Sequence, residues 1–182
     1  MPGSVFAVTI AKGYKNKNAG AIIALGHGII EFPLIFLIYF GFSQLFTSNI
    51  VKTFIGLIGG IMLAYMGLSM LKIIKRIKEE KKDLSYNSLI GGILTTVTNP
   101  YFFLWWATFG ATLIINASIF GIIGLLSFAI IHWSCDFVWD LFVSKTVFKT
   151  KHLWSEKIYK IVFGSCGVIL ILFGIWFIIS SI

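Results

Sequence analysis

The sequence predicts an all-α integral membrane protein with about six transmembrane helices in two inverted three-helix repeats. Three observations support this prediction: the composition, the lengths of the apolar stretches, and a similarity between the two halves of the chain. Of the 182 residues, 58% are hydrophobic and only 12% are charged, whereas about 25% are charged in an average soluble domain. So few charged residues cannot cover a soluble core of this size with a polar surface, which excludes a soluble protein.

The first apolar element, residues 2–11, is about half as long as a membrane span. Pro2-Gly3 stands at its start, and no basic region precedes it, so it lacks the three-part pattern of a signal peptide. A Pro-Gly break is more useful inside a helix than at its first residue. We therefore interpret the first helix as truncated, and expect the true start of the protein to lie upstream of Met1.

Five longer apolar stretches follow, and each reaches or exceeds the roughly 20 residues needed to cross a bilayer. They lie at residues 19–46, 50–71, 88–115, 118–143 and 158–182. A mixed-charge stretch separates the third predicted helix from the fourth. We therefore predict a three-helix repeat over residues 1–76, a cytoplasmic linker over residues 77–87, and a second three-helix repeat over residues 88–182.

The basic residues lie on one side of the predicted helices. The first, third and fifth connections carry 14 of the 15 Lys and Arg residues. They are Lys12, Lys15, Lys17, Lys72, Lys75, Arg76, Lys78, Lys81, Lys82, Lys145, Lys149, Lys151, Lys157 and Lys160. By the positive-inside rule these connections are cytoplasmic, which places both termini on the outer side of the cell membrane. Contact with anionic lipid headgroups explains the net charge of +8, so we expect no nucleic-acid partner.

Segments of the first half of the chain align with segments of the second half. Without gaps, the aligned pairs are residues 20–33 with 121–134 and residues 59–68 with 166–175. Pro2-Gly3 then pairs with Asn99-Pro100 when a three-residue gap is allowed. Because each half has an odd number of helices, the second half enters the membrane in the opposite orientation. The sequence therefore predicts inverted repeats, each with a break in its first helix.

The segment ILTTVTNPYFFLWW (residues 93–106) places Asn99-Pro100 inside the fourth predicted helix. Proline removes a backbone donor and clashes with the carbonyl four residues back, so the helix should break here. In secondary transporters with inverted repeats, such breaks expose backbone groups near the midplane that bind substrate or ions. We therefore assign helix breaks and substrate binding to Pro2, Gly3, Asn99, Pro100, Tyr101 and Trp105. The alternative is a kink that serves packing alone, with aromatic rings that face lipid or neighbouring helices.

Several motifs together resemble one family. They are the Pro-Gly pair in the first helix, AGAIIALG after the first basic loop, an acidic residue in the second helix, YMGLSMLK at the end of the third, and TNP in the fourth. Over nearly the whole chain they resemble the lysine-exporter (LysE/RhtB) family of amino-acid efflux transporters. The resemblance implies a secondary active exporter without enzymatic activity or cofactor. No Walker motif or glycine-rich phosphate loop occurs in the sequence, so ATP-driven transport by this chain alone is not expected.

Few ionisable residues lie within the predicted spans, where a charged side chain costs at least ~2.5–3.5 kcal/mol. Glu31 lies about 18 Å along the second helix, close to the membrane midplane. His27 precedes it by one turn on the same helix face. In the fifth helix His132, Asp136 and Asp140 fall at i, i+4 and i+8, and Glu31 aligns with His132 in the repeat.

Three hypotheses for these residues stay open. In the first, protons are bound and released, as access alternates, by Glu31, His132 and Asp136. In the second, a transition-metal ion is bound by His27, Glu31, His132 and Asp136. In the third, the same residues are hydrogen-bonded structural groups between helices.

Other polar or small residues are interpreted as structural. Asp140 is expected to lie near the cytoplasmic interface, solvated or paired with Lys145. Cys135 and Cys166 are interpreted as small buried residues. Four glycines leave helix faces open to close packing, either inside one bundle or in a homo-oligomer; they are Gly56, Gly59, Gly60 and Gly67.

The sequence thus predicts a secondary exporter of amino acids or similar small polar metabolites, driven by a proton or cation gradient. Its partners are the lipid bilayer of the cell membrane and a small-molecule substrate. A transition-metal ion exporter and a membrane-embedded metal-dependent hydrolase are the alternative functions.

Overall fold

The computed structural model describes residues 4–41, 49–75 and 86–180, and all regular structure within these ranges is helical. The helices are α1 (Ser4–Gly13), α2 (Ala19–Tyr39), α3 (Asn49–Lys75), α4 (Ser88–Val97), α5 (Pro100–Trp105), α6 (Ala111–Ser118), α7 (Gly121–Thr150) and α8 (Glu156–Ser180). A π-helical turn, Trp106–Gly110, joins α5 to α6, and a short 3₁₀ helix, Lys151–Leu153, follows α7. The predicted all-α class is confirmed for this part of the chain. Pro2, Gly3 and most of the predicted linker lie outside the described residues.

Three of the described helices are long and apolar enough to cross a membrane. They are Ala19–Tyr39, Gly121–Leu153 and Glu156–Ser180, with mean hydropathies of 2.1, 1.6 and 2.6. Shorter apolar helices occur at Ser4–Gly13, Gly56–Lys72 and Ser88–Val97. Large apolar side chains are exposed on the outer faces of these helices, as a lipid environment requires. These findings support an integral membrane protein, and the arrangement as six spans in inverted repeats stays a prediction.

Helices α3 and α8 pack against each other along their lengths. A Cβ atom at Gly60 would lie 2.5 Å from the carbonyl oxygen of Gly174, and one at Gly67 would lie 2.5 Å from that of Gly167. Residues without side chains at these points let the two backbones approach closely, as small residues do in membrane helix pairs. The chain therefore uses Gly60 and Gly67 for packing within one bundle.

Helix α2 lies between α4 and α7. A Cβ atom at Gly92 of α4 would overlap the carbonyl oxygen of Ile23, and one at Gly20 of α2 would overlap that of Asp140 in α7. The backbone of α2 thus contacts both neighbours directly. This close packing brings the polar side chains of α2 within reach of those of α4 and α7.

Helix α1 runs antiparallel to α4 and is tied to residues far along the chain. Near its start, Ser4 Oγ donates to the carbonyl oxygen of Thr95 at 3.2 Å. In its last turn, the Lys12 ammonium donates to the carbonyl oxygen of Tyr86 and lies 5.1 Å from the centre of the Tyr86 ring. Lys12 is therefore a buried helical residue, with 3% of its surface exposed, and the prediction that it lies in a loop is wrong.

The first basic loop, the start of α4 and the end of α7 meet at one end of the bundle. Lys151 Nζ donates to the carbonyl oxygen of Tyr14 at 3.1 Å, and Ser144 Oγ donates to that of Lys17 at 2.9 Å. The Tyr14 ring also contacts Trp154 of the next connection, with ring centres 5.5 Å apart. The connections predicted to be cytoplasmic are thus held together where the structure describes them.

Candidate functional site

Two pairs of ionisable side chains, each at i and i+4, face each other across the α2–α7 contact. Helix α2 contributes His27 and Glu31, and α7 contributes His132 and Asp136. Residues four apart share a helix face, and Gly28 of α2 leaves room for the Trp133 side chain of α7, whose Nε1 would lie 2.6 Å from a Cβ atom at Gly28. The four residues singled out in the sequence therefore come together, and we call them the polar cluster.

Glu31 lies at the centre of the polar cluster. Its Oε1 atom is 3.5 Å from His27 Nε2 and 3.4 Å from His132 Nε2. The residue is 0% exposed, and neither carboxylate oxygen has a hydrogen-bond partner within the described ranges. A buried carboxylate is costly unless it is paired and hydrogen-bonded. The cost of burying Glu31 must therefore be offset by positive charge on the two imidazoles, or avoided by protonation of its carboxyl group.

His27 is oriented by a threonine at the end of α4. Its Nδ1 atom lies 2.8 Å from Thr96 Oγ1, and Thr96 Oγ1 lies 2.7 Å from the carbonyl oxygen of Gly92. A hydroxyl has one proton to donate; because it goes to the Gly92 carbonyl, the Thr96 oxygen accepts from His27 Nδ1–H. Nε2 then faces the acids, at 3.5 Å from both Glu31 Oε1 and Asp136 Oδ2. The imidazole thus lies between two carboxylates, where a proton or another cation can be held.

Aromatic rings surround His132. The Trp105 ring stacks on it with centres 5.6 Å apart, Trp106 meets it edge-on at 5.0 Å, and Phe128 lies at 5.8 Å. Trp105 is the last residue of α5, and Trp106 is the first residue of the π-helical turn. The segment after the helix break therefore forms one wall of the polar cluster, and the assignment of Trp105 to substrate binding stays a prediction.

The fourth predicted helix is interrupted between α4 and α5. The Thr98 amide bonds to the carbonyl of Leu94 and the Asn99 amide to that of Thr96, both at 3.1 Å, and helical structure resumes at Pro100. Proline fits this first helical position because no intrahelical bond is lost there. The Thr98 carbonyl packs against Gly59 of α3, where a Cβ atom would overlap it. The side chains of Pro100 and Tyr101 lie outside the described part of the structure, as do Pro2 and Gly3.

Comparison with known proteins decides the family. The chain matches the LysE type translocator family over residues 1–181. It belongs to the LysE type translocators. The chain is 31% identical to the "Putative amino acid efflux protein YcgF" of Bacillus subtilis (strain 168), over 96% of this chain and 87% of that protein. No solved structure matches this translocator. The resemblance inferred from the sequence motifs is confirmed, and a transmembrane transport protein of this family acts in a lipid bilayer on a small-molecule substrate.

Two interpretations of individual residues in this translocator are wrong. Asp140 is 4% exposed, and the hydroxyl of Thr9 donates to its Oδ1 atom at 3.2 Å. It is buried because α1 and α2 pack against this face of α7. Cys135 is exposed, since it lies on the outer face of α7, whereas Cys166 is buried as expected.

The polar cluster also has the composition of a metal site. One donor atom from each of His27, Glu31 and Asp136 lies within 4.8 Å of the other two. Imidazole and carboxylate donors at such separations are compatible with a divalent transition metal. The metal hypothesis for this translocator therefore stays a prediction with a geometric basis.

Residues of the site that were not identified from the sequence include Thr96, Trp106 and Phe128. Thr96 contacts His27, and the other two contact His132. A hydroxyl residue shortly before a predicted helix break is a signal that can be searched for, because broken helices expose polar groups. Trp106 offered no signal beyond its proximity to Trp105.

Proposed function

We propose that this chain is a secondary active exporter of amino acids or similar small polar metabolites, coupled to a proton or cation gradient at the polar cluster. The family and the name of the Bacillus relative support an efflux function. The observation that carries the coupling is the fully buried Glu31 carboxylate, which lies between two histidines where α2 and α7 meet. Chains of Asp, Glu and His side chains in membranes typically carry protons in pumps and transporters. No catalytic step is part of this proposal.

The proposed inverted repeat is supported by the way equivalent residues pair. The sequence alignment equates Gly60 with Gly167 and Gly67 with Gly174. In the α3–α8 contact, Gly60 meets Gly174 and Gly67 meets Gly167. Exchange of the two halves turns each of these contacts into the other, which is what a two-fold axis in the membrane plane requires.

The same axis passes close to the polar cluster. Glu31 and His132 are equivalent in the alignment, and their side chains lie 3.4 Å apart. Residues that are equivalent in the two halves touch only near the axis that relates them. We place proton binding at this contact, because alternating access by inverted repeats works around a fixed central site.

Substrate binding is proposed beside the polar cluster, at the break between α4 and α5. Asn99 and Pro100 interrupt the helix, and Trp105 stacks on His132. We assign Tyr101 to the same substrate site by its position in α5, and Pro2-Gly3 to the equivalent break of the first half. Backbone groups released by a break are tolerated in a membrane where they line a cavity or are buried in protein.

Transport into proteoliposomes tests the proposed function. Purified protein is reconstituted with a panel of radiolabelled amino acids, and flux is measured with and without an imposed pH gradient. We expect flux of one or more amino acids that rises with the gradient and that persists in the presence of a metal chelator. Chelator-sensitive flux of a transition-metal ion would support the metal exporter instead. The donor atoms of His27, Glu31 and Asp136 would be the ligands in that case. Chelator-sensitive hydrolysis with no flux of any solute would support the hydrolase.

The proposed orientation places the basic loops in the cytoplasm of the cell. Lys149, near the end of α7, and Asn116, in α6, are both exposed and lie at opposite ends of the bundle. In a background without the exposed Cys135, we expect Lys149→Cys to resist an impermeant maleimide in right-side-out vesicles, and Asn116→Cys to react. Protection of Asn116→Cys together with rapid labelling of Lys149→Cys would reverse the orientation.

A further inference from the structure

A second carboxyl group is buried in the translocator, outside the polar cluster. Asp140 of α7 is 4% exposed, and its partner Thr9 of α1 is 0% exposed. The Thr9 hydroxyl donates to Asp140 Oδ1 at 3.2 Å. One hydroxyl does little to compensate for a buried charge, so a carboxyl group in this position needs a reason other than packing.

Asp140 lies on the route from the polar cluster to the cytoplasmic loops. It follows Asp136 by one turn on the same face of α7. One turn further on, Ser144 is fully buried and donates to the carbonyl oxygen of Lys17, in the loop after α1. Gly20 of α2 packs directly on Asp140 and Ser144, so three helices enclose this face. Ionisable and hydroxyl groups thus follow one another from Glu31 to the first cytoplasmic loop.

We propose that Asp140 is a second proton-binding site, which receives protons leaving the polar cluster and releases them to the cytoplasm. This inference rests on the proposed proton coupling at Glu31. In each step one proton moves: a protonated group of the polar cluster gives its proton to the Asp140 carboxylate, and the Asp140 carboxyl then gives that proton to cytoplasmic water. No other bond is made or broken, and Asp140 returns to its carboxylate form.

The groups around Asp140 fit this role. Asp136 on the same helix and His27 on α2 are the ionisable groups that act on it electrostatically, and Thr9 faces it from α1. Lys12 is the ionisable residue of α1 nearest in sequence to Thr9, and its ammonium donates to the carbonyl oxygen of Tyr86. Asp140 thus has ionisable groups of the polar cluster on one side and the Thr9 hydroxyl of α1 on the other.

The competing explanation is a structural hydrogen bond that ties α1 to α7. Two nearly isosteric substitutions separate the explanations. Asp140→Asn retains an oxygen that can accept from Thr9 but cannot bind and release a proton at ordinary pH. Thr9→Val removes the hydrogen bond and leaves the carboxyl group. A structural role predicts damage from Thr9→Val, whereas a proton site predicts damage from Asp140→Asn.

The first measurement detects proton binding without transport. Infrared difference spectra of the purified full chain are recorded over a pH titration, so that each protonated carboxyl group contributes a C=O stretching band. We expect one band to disappear in Asp140→Asn, a different one in Glu31→Gln, and neither in Thr9→Val. Spectra of Asp140→Asn that match those of the native protein over the whole titration would overturn the inference, even if transport is proton-coupled.

The second measurement is pH-driven efflux of an amino acid in proteoliposomes, with thermal unfolding as the control for folding. We expect Asp140→Asn to slow efflux by about a hundredfold, the lower end of what a positioned proton-transfer group contributes, and to remove its dependence on cytoplasmic pH. Thr9→Val loses one hydrogen bond but keeps the carboxyl group, so its efflux should still depend on cytoplasmic pH. Equal losses in both variants, or efflux that follows Na⁺ rather than protons, would overturn the inference.

The two measurements keep this inference separate from the proposed function. A native protein that moves no amino acid contradicts the proposed function, while the infrared titration still decides whether Asp140 binds a proton. If Asp140→Asn does not fold, Asp140→Glu and Asp140→Gln are compared instead. Both side chains are one methylene longer, and only the glutamate variant retains an ionisable group.

Discussion

Glu31→Gln is expected to abolish net efflux against a gradient, while exchange of substrate across the membrane continues at a measurable rate. Glutamine has nearly the size of glutamate but cannot release a proton, so a transport cycle that depends on proton release stops. Exchange requires no change of protonation and can proceed. The measurement compares uphill efflux with exchange in proteoliposomes at several pH values.

The matched control is Glu156→Gln at the start of α8. Glu156 is exposed and its carboxylate lies 2.6 Å from Lys160 Nζ, and surface ion pairs of this kind contribute about 0–1 kcal/mol. The control should therefore transport like the native protein. An unchanged pH dependence of efflux in Glu31→Gln would contradict the proton-carrier hypothesis. Joint loss of metal binding and transport in Glu31→Gln and His27→Ala would support the metal site instead.

Gly92→Ala is expected to have the second large effect, through the packing of α4 on α2. The added methyl group would overlap the carbonyl oxygen of Ile23, which is backbone and cannot move aside like a side chain. Overpacking of this kind costs about 1–3 kcal/mol and sometimes more. The shift also moves Thr96, whose hydroxyl bonds to the Gly92 carbonyl, away from His27. We expect a lower unfolding temperature in detergent and a loss of most of the transport activity.

Gly91→Ala, at the neighbouring position, is the control. Its methyl group would meet the Val8 side chain at 3.1 Å and the Tyr86 ring at 3.2 Å, and side chains can shift by the few tenths of an ångström required. It should therefore retain most of the stability and activity. Equal behaviour of the two variants would show that the α2–α4 contact does not hold the polar cluster in place.

Helix periodicity alone predicts which residues of the polar cluster share a helix face. The spacing of His27 and Glu31, and of His132 and Asp136, places each pair on one helix face in any α-helix. The high cost of charge in a membrane then favours an arrangement in which the two pairs meet. The interruption at Thr98 and Asn99 was likewise expected, because proline acts on its own backbone.

The positions of Asp140, Thr96 and Lys12 could not be derived in this way. Each depends on which helix packs beside it, and therefore on contacts between residues that are far apart in the chain. Asp140 is buried by α1, Thr96 meets His27 through the α2–α4 contact, and Lys12 reaches Tyr86 at the start of α4. The local sequence around a lysine or an aspartate near a helix end is the same whether a neighbouring helix covers it or not.

The partners of α1 have a consequence for synthesis of the protein in the cell. Several of its polar contacts are to Tyr86, Thr95 and Asp140, all of which leave the ribosome well after α1 does. Until then the Lys12 ammonium and the Thr9 hydroxyl cannot make these contacts, and burial of polar groups without partners is costly. Docking of α1 on α7 is therefore expected to be a late event, because it requires α7 to be in place. A ribosome stalled before residue 140 is released should carry an α1 that is still accessible to proteases.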